Sequence, residues 1–183
     1  MTKKAAIFFA TGYEECEALI TVDIARRAGI DISMVSVTGE KTVVSSHNVP
    51  VVMDKLFDEV DFAELDMMIL PGGMPGTKNL EACEPLMNAL DDFLASGRWI
   101  AAICAAPSIF GHRGYLNGKN ACVYPGREAE LTGANVQYEP AVTDGNIITG
   151  RGMGAAIDFA LAIVSALEGE EKAGTIAKAI VYK

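Results

Sequence analysis

The sequence is poor in the residues that most often announce a metal or redox centre. Its 183 residues include two histidines, His47 and His112, and four cysteines, Cys16, Cys83, Cys104 and Cys122. No cysteine belongs to a C-x-x-C pair, and no His/Cys spacing matches a zinc site, so neither a metal nor a cofactor is expected. Unpaired thiols of this kind suit a reducing, cytoplasmic setting. Positive charge is scarce too. Fifteen Lys and Arg stand against 24 Asp and Glu, for a net charge of -9. That balance argues against direct nucleic-acid binding and against an anionic membrane surface. No apolar run approaches the length of a membrane span. The opening stretch, MTKKAAIFFATGYEE, has too short an apolar segment for a secretory signal. Repeats, linkers and low-complexity tracts are missing as well, so residues 1–183 are expected to form one domain.

What is present is an alternation of short apolar runs and amphipathic stretches. Half the residues are hydrophobic and 21% are charged, enough for a sizeable core. The pattern predicts strands over Lys4–Ala10, Ile30–Val37 and Met67–Leu70, and another ending near Tyr124. Helices are predicted over Glu14–Ala28, Asn79–Ala95, Gly154–Leu167 and Glu170–Ile180. Short extended pieces at Val43–Ser45 and Val49–Met53 flank His47. Leu56–Leu65 reads as an acidic, partly helical link. Asp144-Gly145 marks a hairpin turn between Asn135–Val142 and Asn146–Thr149. Strands alternating with helices imply an α/β fold with a parallel sheet covered on both faces and a small antiparallel hairpin. Ligands of such sheets bind beyond the carboxyl ends of the strands. Three loops belong at that edge: Thr11–Glu17, Pro71–Gly76, and the turn after Trp99–Ile103.

That last turn carries the sharpest signal. Trp99–Ile103 is a buried strand by composition, and Ala105-Ala106-Pro107 opens a helix. Cys104 therefore sits at a strand-to-helix elbow, where free N–H groups and the helix dipole stabilise a thiolate and lower the thiol pKa. The competing reading is a buried cysteine acting as a small hydrophobe. Core packing is the expectation for Cys83, placed on a helix, and for Cys122, placed in a strand. Cys16 lies between two acids, which disfavours its thiolate.

Five motifs occur together and in order: Gly12-Tyr13-Glu14-Glu15-Cys16-Glu17, Asp23 with Arg26-Arg27-Ala28-Gly29, Ile69-Leu70-Pro71-Gly72-Gly73, Ala101 through Pro107, and Gly150-Arg151-Gly152 leading into Asp158-Phe159-Ala160-Leu161. The set resembles the ThiJ/PfpI superfamily, in its YajL-like and Parkinson's-disease-protein branch, over nearly the whole chain. The resemblance implies a flavodoxin-like α/β sandwich and a homodimer. It also implies that Cys104 is the catalytic or oxidation-sensitive cysteine and that Glu17 is its carboxyl partner. The N–H groups of Gly73 and Ala105, beside Gly72, would form an oxyanion hole. A protonated Glu17 can donate a hydrogen bond to a thiolate, so the two groups should titrate as a unit. Glu14, Arg27, His47 and Tyr124 are further candidates for the substrate pocket. His47 falls where relatives have an arginine. Ala105 and Tyr124 fall where some relatives carry histidine, which disfavours amide hydrolysis for want of a base.

Two functional expectations follow. The first is a cofactor-independent cysteine enzyme acting on small aldehydes or dicarbonyls, of the glyoxalase or deglycase type. The second is an oxidative-stress sensor or redox-regulated chaperone working through Cys104 oxidation. A thiazole-monophosphate or thiamine-related role has no phosphate loop or basic pocket to support it.

Overall fold

A computed structural model describes residues 2–182. In chain order the elements are β1 (Lys4–Phe9), α1 (Glu15–Ala28), β2 (Asp31–Ser36), β3 (Thr42–Val44), β4 (Pro50–Val52), β5 (Lys55–Leu56), β6 (Met67–Leu70), α2 (Gly76–Glu81), α3 (Glu84–Ala95), β7 (Trp99–Ile103), α4 (Pro107–His112), β8 (Asn120–Ala121), β9 (Asn135–Val136), β10 (Ala141–Asp144), β11 (Ile147–Gly150), α5 (Ala156–Glu168) and α6 (Glu170–Ala179). Seven strands make the main sheet, in the order β10-β11-β7-β6-β1-β2-β5. All neighbours are parallel except β10, which returns antiparallel along β11 through the Asp144-Gly145 turn. The parallel sheet with a small antiparallel hairpin expected from the alternating pattern is observed, and its arrangement is the flavodoxin-like one that the resemblance implies.

Strand periodicity divides the core into two layers. Ala5, Ile7 and Phe9 of β1 join Ile69, Ala101, Ile103 and Ile148 under α1, α5 and α6. Ala6 and Phe8 join Met68, Leu70, Ile100 and Ala102 under α2, α3 and α4. Both faces are buried, so the central strands read as continuous apolar runs.

Several boundaries differ from the sequence pattern, each for a local reason. The stretch Asn79–Ala95 is two helices rather than one. Pro85 occupies the first turn of α3, where it cannot donate to a carbonyl one turn back, and Cys83 stands at the break instead of within a helix. The strand predicted to reach Tyr124 stops at Ala121. Beyond it the Cys122 N–H donates to Thr149 Oγ1 at 3.0 Å, and the Tyr124 N–H to the Cys104 carbonyl at 2.8 Å. Asn135–Val142 is likewise two pieces. Asn135 and Val136 pair with β8, and β10 begins only after Pro140. The link Leu56–Leu65 folds as β5 and two single 3-10 turns.

Candidate active site

The site forms where the carboxyl ends of β1, β6 and β7 meet. These strands are neighbours in the sheet, so the loops that follow them share one edge. The chain leaves β7 at Cys104 with φ +64°, a left-handed conformation that costs a non-glycine residue about 1–3 kcal/mol. Two backbone bonds hold it there. Cys104 donates its N–H to the Gly150 carbonyl at 2.9 Å, and its own carbonyl accepts from Tyr124. The strained turn leaves the N–H groups of Ala105 and of Gly73, from the β6 loop, facing the sulfur, where they favour its anion.

Glu17 arrives from the first turn of α1. It is 1% exposed, and its Oε2 accepts the Gly72 N–H at 3.0 Å. Its Oε1 is buried with no hydrogen-bond partner among the described residues. The Cys104 thiol adjoins this carboxyl and favours its charged form. Gly72 is the spacer between the two groups. A Cβ on it would lie 2.5 Å from Cys104 Cβ and 2.7 Å from Glu17 Oε2. Gly73 has φ +91°, and a Cβ there would lie 2.4 Å from the Glu14 nitrogen. Only glycine lets the β6 loop pass between α1 and the elbow.

Burial is the main cause pushing the Glu17 carboxyl up to about 7. Burial, then the Glu17 charge, push the Cys104 thiol up to about 12. The expectation of a simply lowered thiol pKa therefore needs correction. The carboxyl is the group that titrates near neutrality, and a second charge on the adjacent sulfur is opposed by desolvation and repulsion. The N–H groups of Gly73 and Ala105 act the other way and favour an anion on sulfur.

The other predicted residues divide. Glu14 belongs to the frame of the site. Its Oε2 accepts the Glu17 N–H at 2.6 Å and caps α1, and its own N–H donates to the Gly72 carbonyl at 2.9 Å. Tyr124 is half-exposed and lines a cavity of about 680 Å³ with Tyr138, Arg151 and Met153, beside the elbow. His47, at the tip of the β3–β4 hairpin, meets Glu15 Oε1 through Nδ1 at 2.9 Å, with 71% of its side chain exposed. Arg27 is not brought to Cys104 within this chain. It lies ten residues beyond Glu17 on α1, about 15 Å along the axis, and pairs with Asp23. His112 is on the surface, bound to Glu81 as a surface histidine should be. Sequence reasoning missed Glu15 as the partner of His47, although i to i+3 spacing from Glu14 to Glu17 is a recognisable capping signal. It also missed the Tyr138–Arg151 cavity wall, for which no local pattern exists.

The chain is similar to known proteins over nearly its whole length. The chain is similar to Protein dj-1beta of Drosophila melanogaster, at 35% identity over 99% of this chain and 98% of that one. It is 36% identical to Protein DJ-1 homolog B of Arabidopsis thaliana over its full length, but spans only 42% of that longer relative. A Caenorhabditis elegans relative named a glutathione-independent glyoxalase is 30% identical over 90% of this chain and 88% of its own. Among solved structures, oxidized DJ-1 of Toxoplasma gondii superposes with a TM-score of 0.95 at 32% identity, covering 99% of both chains. The DJ-1/PfpI family matches residues 3–166, and the chain belongs to that family.

Proposed function

We propose that the chain is a cofactor-independent cysteine enzyme that converts small 2-oxoaldehydes, such as methylglyoxal and glyoxal, into the corresponding hydroxy acids. The observation that carries this reading is the buried Glu17 carboxyl beside the Cys104 thiol, with the Gly73 and Ala105 N–H groups on the sulfur. The name of the worm glyoxalase points the same way.

In the proposed sequence Cys104 Sγ adds to the aldehyde carbon and forms a C–S bond. The Gly73 and Ala105 N–H groups hold the resulting oxyanion, which takes the proton from Glu17. The Glu17 carboxylate then removes the proton from the former aldehyde carbon and delivers it to the neighbouring former ketone carbon, while the hydroxyl proton on the first oxygen passes to the former ketone oxygen. The aldehyde carbon is thereby oxidised and the ketone carbon reduced, with no external electron acceptor. Water hydrolyses the thioester that results, releasing the hydroxy acid and restoring the thiol. Burial supports the middle steps, because a carboxyl with a pKa near 7 both accepts and returns a proton at neutral pH.

The test is methylglyoxal consumption without added glutathione. Wild type should turn over, and Cys104→Ser and Glu17→Gln should not. Full turnover by Glu17→Gln would remove Glu17 from the chemistry. A second reading, a redox sensor, rests on the same thiol and on the oxidized state named for the Toxoplasma relative. It gains ground if wild type shows no turnover and peroxide adds two oxygens to Cys104 by mass spectrometry. We further propose that the chain works as a cytoplasmic homodimer, which sedimentation can test directly. Among the described residues no helix is long and apolar enough to cross a membrane.

A further inference from the structure

We propose that the cavity between Tyr124 and the start of α5 is the far half of the substrate site, a subsite for a planar aromatic group that carries a carboxylate. The substrates it fits are aryl 2-oxoaldehydes with an acidic ring, beyond methylglyoxal and glyoxal. The link to Cys104 chemistry rests on the dicarbonyl reading; the binding site itself does not.

Two backbone bonds tie the cavity to the elbow. The Tyr124 N–H donates to the Cys104 carbonyl at 2.8 Å, and the Cys104 N–H donates to the Gly150 carbonyl at 2.9 Å. Each bond leads straight into the cavity wall, to Tyr124 on one side and to Arg151, directly after Gly150, on the other. The volume of about 680 Å³ lies within the range of about 300–1,000 Å³ that small-molecule sites occupy. Glyoxal and methylglyoxal are far too small to fill it.

The lining selects the shape of the ligand. Tyr124, Tyr138 and Met153 share the wall, and each is at least half exposed. Two phenol rings and a thioether left open in one concave site offer a face to a flat apolar group. The Tyr124 ring is set by the chain beside it: a Cβ on Gly152 would lie 3.4 Å from its Cδ2.

Charge selects the substituent. Arg26, Arg27, Arg113 and Arg127 each pair with a carboxylate, and Arg98 gives Nη1 to the Phe62 and Leu65 carbonyls. Arg151 has no carboxylate partner among the described residues. Its Nη1 donates to the Tyr138 carbonyl at 3.1 Å, and its guanidinium carbon stands 5.5 Å from the centre of the Tyr138 ring. Asp158, the acid on the same wall, is already held by the Tyr182 hydroxyl, which donates to Oδ1 at 2.6 Å. The cavity thus keeps an unneutralised guanidinium in a chain of net charge -9. A planar fork of N–H donors matches a carboxylate. Arg151 is the only cation on the wall among the described residues, so it meets a singly charged group better than a phosphate monoester.

The binding experiment uses para-acetylbenzoate, which has the ring and the carboxylate but no aldehyde. It is titrated by calorimetry into the full chain carrying Cys104→Ser, and one molecule per chain is expected. Acetophenone, which lacks the carboxylate, should bind about tenfold more weakly, and adding Arg151→Gln should abolish that difference. Arg151→Lys, which keeps the charge without the fork, should restore part of it. Tyr138→Ala should weaken both ligands, and circular dichroism checks that every variant stays folded. A kinetic experiment on wild type compares para-carboxyphenylglyoxal with phenylglyoxal. The carboxylate should raise kcat/KM by about tenfold through KM. No binding of para-acetylbenzoate, equal affinity for the two ligands, or a preference that survives Arg151→Gln would overturn the subsite. Equal kcat/KM for two aryl glyoxals that are both consumed would overturn its link to Cys104. Absence of all dicarbonyl turnover would strike the dicarbonyl reading instead, and calorimetry would still decide the subsite.

Discussion

Cys104 and Cys122 lie at the same edge of the sheet, behind strand ends that touch, and burial raises the pKa of both. Their partners differ in kind. A protonatable carboxyl and the N–H groups of Gly73 and Ala105 face Cys104 Sγ. Cys122 Sγ donates to the Thr149 carbonyl at 3.3 Å, with the Thr149 hydroxyl beside it. Burial therefore does not distinguish a site cysteine from a packed one. A neighbouring group that can exchange a proton near neutrality does. Cys16 shows the third case, an exposed thiol that partial burial and the Glu14 and Glu15 carboxylates keep protonated.

The comparison breaks most decisively at the sulfur itself. Cys104→Ser should lower dicarbonyl turnover by on the order of 10³-fold or more, as loss of a nucleophile does. Cys122→Ser should leave it within about threefold in the same assay. Next in size is the loop that supplies an N–H. Gly73→Ala forces a Cβ against the Glu14 nitrogen and should cost about 10²-fold in kcat. Gly126→Ala is the control. Its φ is nearly the same, +88°, but nothing lies within 4 Å, so only stability should fall, by about 1 kcal/mol.

A pH series sharpens the role of the carboxyl. Glu17 is raised in the folded state from 4.5 to about 7. The unfolded chain thus loses this proton first. The stabilising contribution is complete below pH 4.5 and is lost as pH rises through 7, a difference of about 3 kcal/mol. Urea unfolding of chelator-treated protein should show wild type losing stability relative to Glu17→Gln across that window. A constant difference would mean that Glu17 is ionised throughout. The smallest effect is expected from Tyr124→Phe. The backbone N–H that holds Cys104 remains, and KM should move by no more than about threefold.

How much of this was legible beforehand depended on range. The elbow could be read from Trp99–Pro107 because a buried strand, small residues and a helix-starting proline follow one another directly. The sheet could be read because apolar runs recur between amphipathic helices. The break at Cys83 was also within reach, since Pro85 carries it. The end of β8 was not. Cys122 leaves the strand for Thr149, 27 residues away, and no local pattern encodes that bond. The same limit applied to the site. Resemblance chose Glu17 over Glu14 and Glu15, while the residues alone gave three equivalent acids at a helix start. Only the assembled loop around Gly72 shows why the third is buried and the first is a cap. Arg27 stands away from Cys104 within this chain for the matching reason: a helix carries its two ends apart, however close they are in sequence.

The narrow gap at Gly72 also bears on timing. Its N–H reaches Glu17 across 55 residues of sequence, and the Cys104 Cβ closes its other side. None of these contacts exists until β1, β6 and β7 lie side by side. Such distant closures come late in the assembly of a parallel sheet. A nascent or partly unfolded chain therefore carries an ordinary, sluggish thiol at position 104. The reactivity proposed for it would switch on only with the finished sheet and switch off again whenever that edge opens.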